Sequence, residues 1–178
     1  MKKITKNIVL KSFEYMYTNL YEKDKFAIEN NSHEQCISGR IAMYLREFFI
    51  EYEKDGLRVD VEYNRDKNDP KLTNQNLQYD KQTNPYIRPD ILFHVRGNNE
   101  HNIIYCEIKK NNDIDKSKVK IQVKTRNYCF GIVITKINKK ESEFFILEKN
   151  DSDFERHVFT PPSELKNRRL TNEQRIFS

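Results

Sequence analysis

A chain of 178 residues can bury one core of useful depth, and that length does not call for a second domain. Hydrophobic residues at 37%, charged residues at 33% and a mean hydropathy of −0.90 argue against a membrane protein, 12% aromatic content argues against a disordered chain, and Gly 4 with Pro 5 argues against repeats or low complexity. Lys+Arg 32 against Asp+Glu 27 leaves a formal +5, too small an excess to identify a partner unless it is clustered.

The first predicted element is a helix from Ile4 to Tyr21, with Ile4, Ile8, Ser12, Tyr15 and Asn19 on one face and Val9, Phe13, Met16 and Leu20 on the adjoining one. The segment EKDKFAIENN reads as a polar break. Ser32, three residues before Gln35, fits a capping box for a second helix, in which Ile37, Ile41, Tyr44, Leu45 and Phe48 recur at helical spacing. From Leu57 to Arg65 apolar and polar residues alternate, which predicts one half-buried strand. Periodicity then disappears from Asp66 to Tyr86, and a loop of that length in a compact domain is a functional or mobile one.

DILFHVRG, ending at Gly97, and NIIYCEIKK are predicted to pair as antiparallel strands across the turn NNEH. NDIDKSKVKIQVKTRN is ambiguous, because Val119, Ile121 and Val123 alternate like a strand while Asp113 offers an N-cap and Asp115, Val119, Gln122 and Val123 keep helical spacing; helix is preferred. YCFGIVIT and SEFFILEK read as two further strands, and the tail from Phe159, with Pro161 and Pro162, as an irregular stretch and a short helix. Helices flanking a central mixed β-sheet, an α/β protein, follow from this order. The expected organisation is one domain over 1–178, with an N-terminal helical extension over 1–30 and a C-terminal tail over 159–178.

Two ionisable clusters interrupt these apolar runs. Alternation puts Tyr105, Glu107 and Lys109 on one face of their strand and Ile104, Cys106 and Ile108 on the other. If the hairpin forms, Asp90, which follows Pro89, lies at the end of the sheet beside Glu107. Carboxylates placed together repel, and sharing a hard divalent cation relieves the repulsion, so Asp90 and Glu107 are candidate ligands of Mg²⁺ or Mn²⁺. Lys109 would then stand where it can hold or help deprotonate an attacking water, the chemistry of phosphodiester hydrolysis. Glu34 falls on the core-facing stripe of the second helix, where an unpaired acid is costly. Each residue also has an ordinary alternative: Glu34 as an acid complementing the helix dipole, Asp90 as a capping or turn residue, Glu107 and Lys109 as an edge-strand ion pair.

Pro89 and Asp90, then Glu107, Ile108 and Lys109 as E-x-K seventeen residues on, with Glu34 on an upstream helix, resemble the PD-(D/E)XK nuclease superfamily, the restriction endonuclease-like fold. HEQCISGRIAMYL, VDVEYNR, RPDILFHVRG and IIYCEIKK together resemble its small stand-alone bacterial and phage members, over Asn31 to Thr135. The resemblance implies a restriction endonuclease-like core, Asp90, Glu107 and the main-chain carbonyl of Ile108 as metal ligands, Lys109 directed at the nucleophile, Glu34 completing the acidic cluster, and Arg65 against a phosphate. Arg88, Lys110, Lys118 and Lys124 are further candidates for nucleic-acid contact, the lysines as part of a basic run from Lys109 to Arg126 that alone is as compatible with a solvated surface. The first helix has no counterpart in the family pattern.

The expected function is a Mg²⁺- or Mn²⁺-dependent nuclease, endonuclease or exonuclease, with DNA ahead of RNA as substrate. The alternative is a nuclease-fold protein without activity that binds nucleic acid or a protein partner. Many enzymes of this fold cut as dimers, which makes a homodimer an expectation although no heptad or apolar patch marks one. His33, His94, His101 and His157 lack zinc-site spacing, and His94 on an apolar strand reads as a satisfied core histidine. Cys36, Cys106 and Cys129 read as small core residues of a reducing compartment, and with no signal peptide or membrane span in the sequence a cytoplasmic location is expected.

Overall fold

The computed structural model describes residues 2–30, 32, 34–63, 65–66, 69–70, 88–97, 99–109, 116–138 and 141–161. Helix α1, Lys6–Lys23, starts after extended Thr5 and buries Val9, Phe13, Met16, Tyr17 and Leu20 completely, together with Ser12 and Asn19 from the neighbouring face. Full burial of each of its large apolar side chains contributes about 1.5–3 kcal/mol. The Phe13 ring stacks on Phe144 at 5.0 Å and Tyr17 on Phe159 at 5.4 Å, so this helix is part of the main core and not an extension to it. The expected polar break contains a short helix α2, Lys25–Glu29, whose single buried residue is Ile28. Helix α3, Glu34–Phe48, buries Ile37, Ile41, Tyr44 and Leu45 as its spacing predicts, and a 3₁₀ turn, Ile50–Asp55, follows.

Among the described residues eight strands follow in chain order: β1 Leu57–Val61, β2 Arg65–Asp66, β3 Asp69–Pro70, β4 Ile91–Val95, β5 Asn102–Ile108, β6 Phe130–Ile137, β7 Ser142–Glu148 and β8 Glu155–Phe159. Six form one mixed sheet in the order β1-β4-β5-β6-β7-β8, while β2 and β3 pair as a minimal separate ribbon. All neighbours in the large sheet are antiparallel except β5 and β6, which are parallel and connected through helix α4, Lys116–Thr125. A parallel pair needs such a crossover, and α4 packs on β5 and β6.

Alternation along the central strands serves two layers. Phe93, Ile104, Cys106, Ile132 and Ile134 join α1 and α3 in the main core, while Leu92, Tyr105, Val133 and Leu147 join Val119 and Val123 of α4 on the opposite face. The α4 ambiguity is thus resolved as helix: Val119, Gln122 and Val123 are its buried residues, and the alternating Ile121 is not. Gly131 explains the close approach of α4. A Cβ there would lie 2.6 Å from Val123 Cγ2 and 2.7 Å from Val119 Cγ1. Gly131→Ala should destabilise the fold by about 1–3 kcal/mol through overpacking, read as a lower urea midpoint with an unchanged slope.

Other departures have local causes. β1 ends at Val61, short of the expected Arg65, because Glu62 takes the left-handed conformation at φ 52° and turns the chain away; Arg65 then opens β2. Within β1 the polar face is not all solvated: Asp60 is buried, whereas Val61 is 44% exposed. β8 was not anticipated, since Glu155, Arg156 and His157 mask the short β-forming run at the sheet edge. Cys36 and Cys129 are exposed, so of the cysteines only Cys106 has the expected core position. The predicted short helix of the tail, the polar loop after Pro70, and Lys110 lie outside the described residues. No helix among the described residues is long and apolar enough to cross a membrane.

Candidate active site at the ends of β4 and β5

The hairpin register brings the central acids together. Ile91 pairs with Cys106 and Leu92 with Tyr105, so Asp90, one step before β4, stands opposite Glu107. Directly opposed residues of an antiparallel pair project to the same face, and Leu92 and Tyr105 mark that face as the α4 side. The backbone N–H of Ile108 donates to Asp90 Oδ2 at 2.6 Å, and the N–H of Glu62 donates to the Asp90 carbonyl at 3.2 Å. Asp90 is therefore fixed between β5 and the end of β1. Burial, and then the neighbouring Glu107 carboxylate, push its pKa up; the Ile108 amide, Lys109 and Lys118 act in the other direction without cancelling this.

Glu107 is buried, with 5% of its side chain exposed, and two groups engage one of its oxygens. Tyr105 Oη donates to Oε1 at 2.7 Å, and Lys118 Nζ lies 2.7 Å from the same atom. Tyr105 is held firmly neutral by its own burial and by the adjacent carboxylate. Among the described residues, Asp90 Oδ1 and Glu107 Oε2 accept no hydrogen bond.

Lys109 departs from the expected arrangement. β5 ends at Ile108, and the Lys109 ammonium meets Glu34 Oε1 at 3.8 Å instead of pairing with Glu107. Glu34 sits in the first turn of α3 with about a third of its side chain exposed, so it is not the buried, core-facing acid that helical counting suggested. The partner of Glu107 is Lys118, expected from sequence to be one of the phosphate-binding surface cations.

Glu34 and Asp90 do share an open cavity of about 330 Å³ with Gln35, Ser38, Val61 and Glu62. Gln35 Nε2 donates to Glu62 Oε1 at 3.2 Å across its rim. Yet no group of three or more His, Cys, Asp or Glu side chains among the described residues is gathered closely enough to hold a metal ion. The Asp90–Glu107 pair stands by itself, with Glu34 across the cavity. Its two carboxylates, opposed on one face with one oxygen each unengaged among the described residues, still suit a divalent cation, and Ile108 is placed beside them by its amide. Of the remaining candidates, Arg88 and Lys124 are exposed, the side chain of Arg65 lies outside the described residues, and Lys110 does too.

Sequence reasoning missed the roles of Lys118, Tyr105 and Glu62. Tyr105 was legible as a face-sharing neighbour of Glu107. Lys118 was not, because its contact depends on how α4 docks against β5. His94 has the predicted satisfied position: its Nε2 lies 3.0 Å from Asp60 Oδ2, with Tyr63 edge-on at 4.7 Å. No family model, curated protein or solved structure matches the chain.

Proposed function

We propose that the protein is a divalent-cation-dependent nuclease with a restriction endonuclease-like core, hydrolysing phosphodiester bonds in DNA. The observation that carries this reading is the convergence of Asp90 and Glu107 at the ends of β4 and β5, with burial and mutual repulsion raising the Asp90 pKa. Asp90 and Glu107, with the Ile108 carbonyl, would hold Mg²⁺ or Mn²⁺. When bound, the cation lowers the pKa of a water and offsets charge developing on the phosphodiester.

The chain's own residues supply the rest. Lys109 presents an ammonium at the end of β5 for the attacking water, oriented by Glu34. Arg88, exposed two residues before Asp90, lies near enough along the chain to meet a phosphate, as would Arg65 and Lys110 in this reading, with Lys124 contributing from α4. The cavity between Glu34 and Asp90 leaves room for the scissile group.

A second reading has an observation of its own. Glu107 already carries Lys118 and Tyr105, and among the described residues no third acid closes around the pair, as suits a nuclease fold that binds nucleic acid without cutting it. Incubation with plasmid and single-stranded DNA in Mg²⁺, Mn²⁺ or EDTA separates the two. Cleavage in metal that disappears in EDTA and in Asp90→Ala is the expected result. Salt-sensitive DNA binding with no cleavage in either metal would favour the second reading.

A further inference from the structure

We propose that Lys118 is the resident counter-cation of the carboxylate pair, holding Glu107 until a divalent cation binds and then turning, released, toward the substrate phosphate. The inference rests on the nuclease reading and adds a residue and an order of events to it. A buried carboxylate is costly unless paired, and the Lys118 ammonium supplies the pairing at 2.7 Å while a third of its own side chain stays exposed. Lys118 is a flexible stem on the first turn of α4, and the helix itself is anchored by Val119, Gln122 and Val123. The ammonium can therefore leave Glu107 without unpacking the helix.

Its neighbours on α4 are committed elsewhere. Lys116 Nζ lies over the Phe145 ring at 3.3 Å, and Lys120 Nζ donates to the Ser152 carbonyl at 2.5 Å. Lys118 is thus the α4 lysine placed to exchange. The charges give the exchange a purpose. With both acids ionised, Asp90, Glu107 and a paired Lys118 sum to −1, which repels a phosphodiester. With a dication on the carboxylates and Lys118 released, the same groups sum to +1. Binding of an anionic substrate then follows metal loading, and Lys118 moves from neutralising Glu107 to contacting a phosphate.

The test is calorimetric titration of Mn²⁺ into the wild-type protein and Lys118→Met, with Mg²⁺ titrated into wild-type protein followed by the side-chain ammonium resonances of lysine. Lys118→Arg assigns the Lys118 signal, and Lys136, paired with Glu141, is the internal control. Removing the competitor should tighten Mn²⁺ binding on the order of tenfold. In the wild type, Mg²⁺ should move the Lys118 resonance to that of an unpaired lysine and leave Lys136 unchanged; this measurement stands even if the Met variant fails to fold. Equal or weaker binding by Lys118→Met, or an unmoved Lys118 resonance at saturating Mg²⁺, overturns the exchange while leaving the metal site standing. No binding by either protein removes the metal site, and the exchange with it.

Discussion

If the protein is the nuclease proposed above, Glu107→Gln is expected to reduce DNA cleavage by more than about a hundredfold, since changes to groups merely supporting a metal's ligands already cost 10–100-fold. The substitution is nearly isosteric, and Tyr105 Oη can still donate to the amide oxygen that replaces Oε1. What disappears is the charge that would bind the cation and that holds Lys118. Stability should move far less than activity. Lys118 keeps a third of its side chain in water and can solvate its freed ammonium, so the fold should lose no more than about 1–2 kcal/mol. Glu107→Ala is the harsher change, because it also leaves a gap beneath Tyr105. Lys109→Ala supplies the complementary case: its contact with Glu34 is long and half-exposed, so stability should stay within about 0.5 kcal/mol. In the proposed enzyme kcat should nonetheless fall with little change in metal affinity. Equal cleavage by wild type and Glu107→Gln, with both melting normally, would remove Glu107 from the chemistry.

The parts of this protein legible in its sequence are those fixed by short-range periodicity. The stripe of Ile37, Ile41, Tyr44 and Leu45, the two-residue alternation of β5 and the hairpin joining it to β4 each follow from spacing alone. The juxtaposition of Asp90 and Glu107 was legible for the same reason, since a hairpin register carries a local pattern across to a neighbouring strand. Contacts that depend on packing angle were not legible. Lys118 reaches Glu107 because α4 lies close over β5 and β6, which the lone Gly131 permits, and a pattern count along α4 contains no such information. Lys109 illustrates the opposite error. Extrapolating alternation past Ile108 puts it on one face with Glu107, but the strand ends there and the side chain crosses to α3. β8 escaped because an edge strand exposes charged residues, which a search for apolar runs rejects.

A second buried acid lies away from the candidate site, in β1. Alternation along β1 puts Asp60 among the polar positions of a half-buried strand, yet it is 8% exposed. His94 Nε2 sits 3.0 Å from its Oδ2, Arg96 Nε donates to that oxygen at 2.8 Å, and Arg96 Nη2 closes a second bond to Oδ1. Burial alone would raise the Asp60 pKa, but Arg96 and His94 outweigh it and hold the carboxyl well below the usual range. Asp60→Ala should therefore cost about 2–3 kcal/mol, less than the loss of a fully buried pair because Arg96, 58% exposed, retains water around its guanidinium. For a domain of this size that lowers the Tm by roughly 4–12 °C. Glu51→Ala, which breaks the exposed pair with Lys54, is the contrasting control and should leave the Tm essentially unchanged, because solvent screens that pair. The pH dependence follows from the sign of the shift. A carboxyl with a depressed folded-state pKa contributes its stabilisation in full above its unfolded value, near 4, and loses it progressively as pH falls below that toward the folded value. Urea unfolding between about pH 5 and 2 should consequently be shallower in pH for Asp60→Asn than for the wild type. Parallel curves would mean that the carboxyl titrates alike in the folded and unfolded chains, and that Arg96 and His94 do not stabilise its charge.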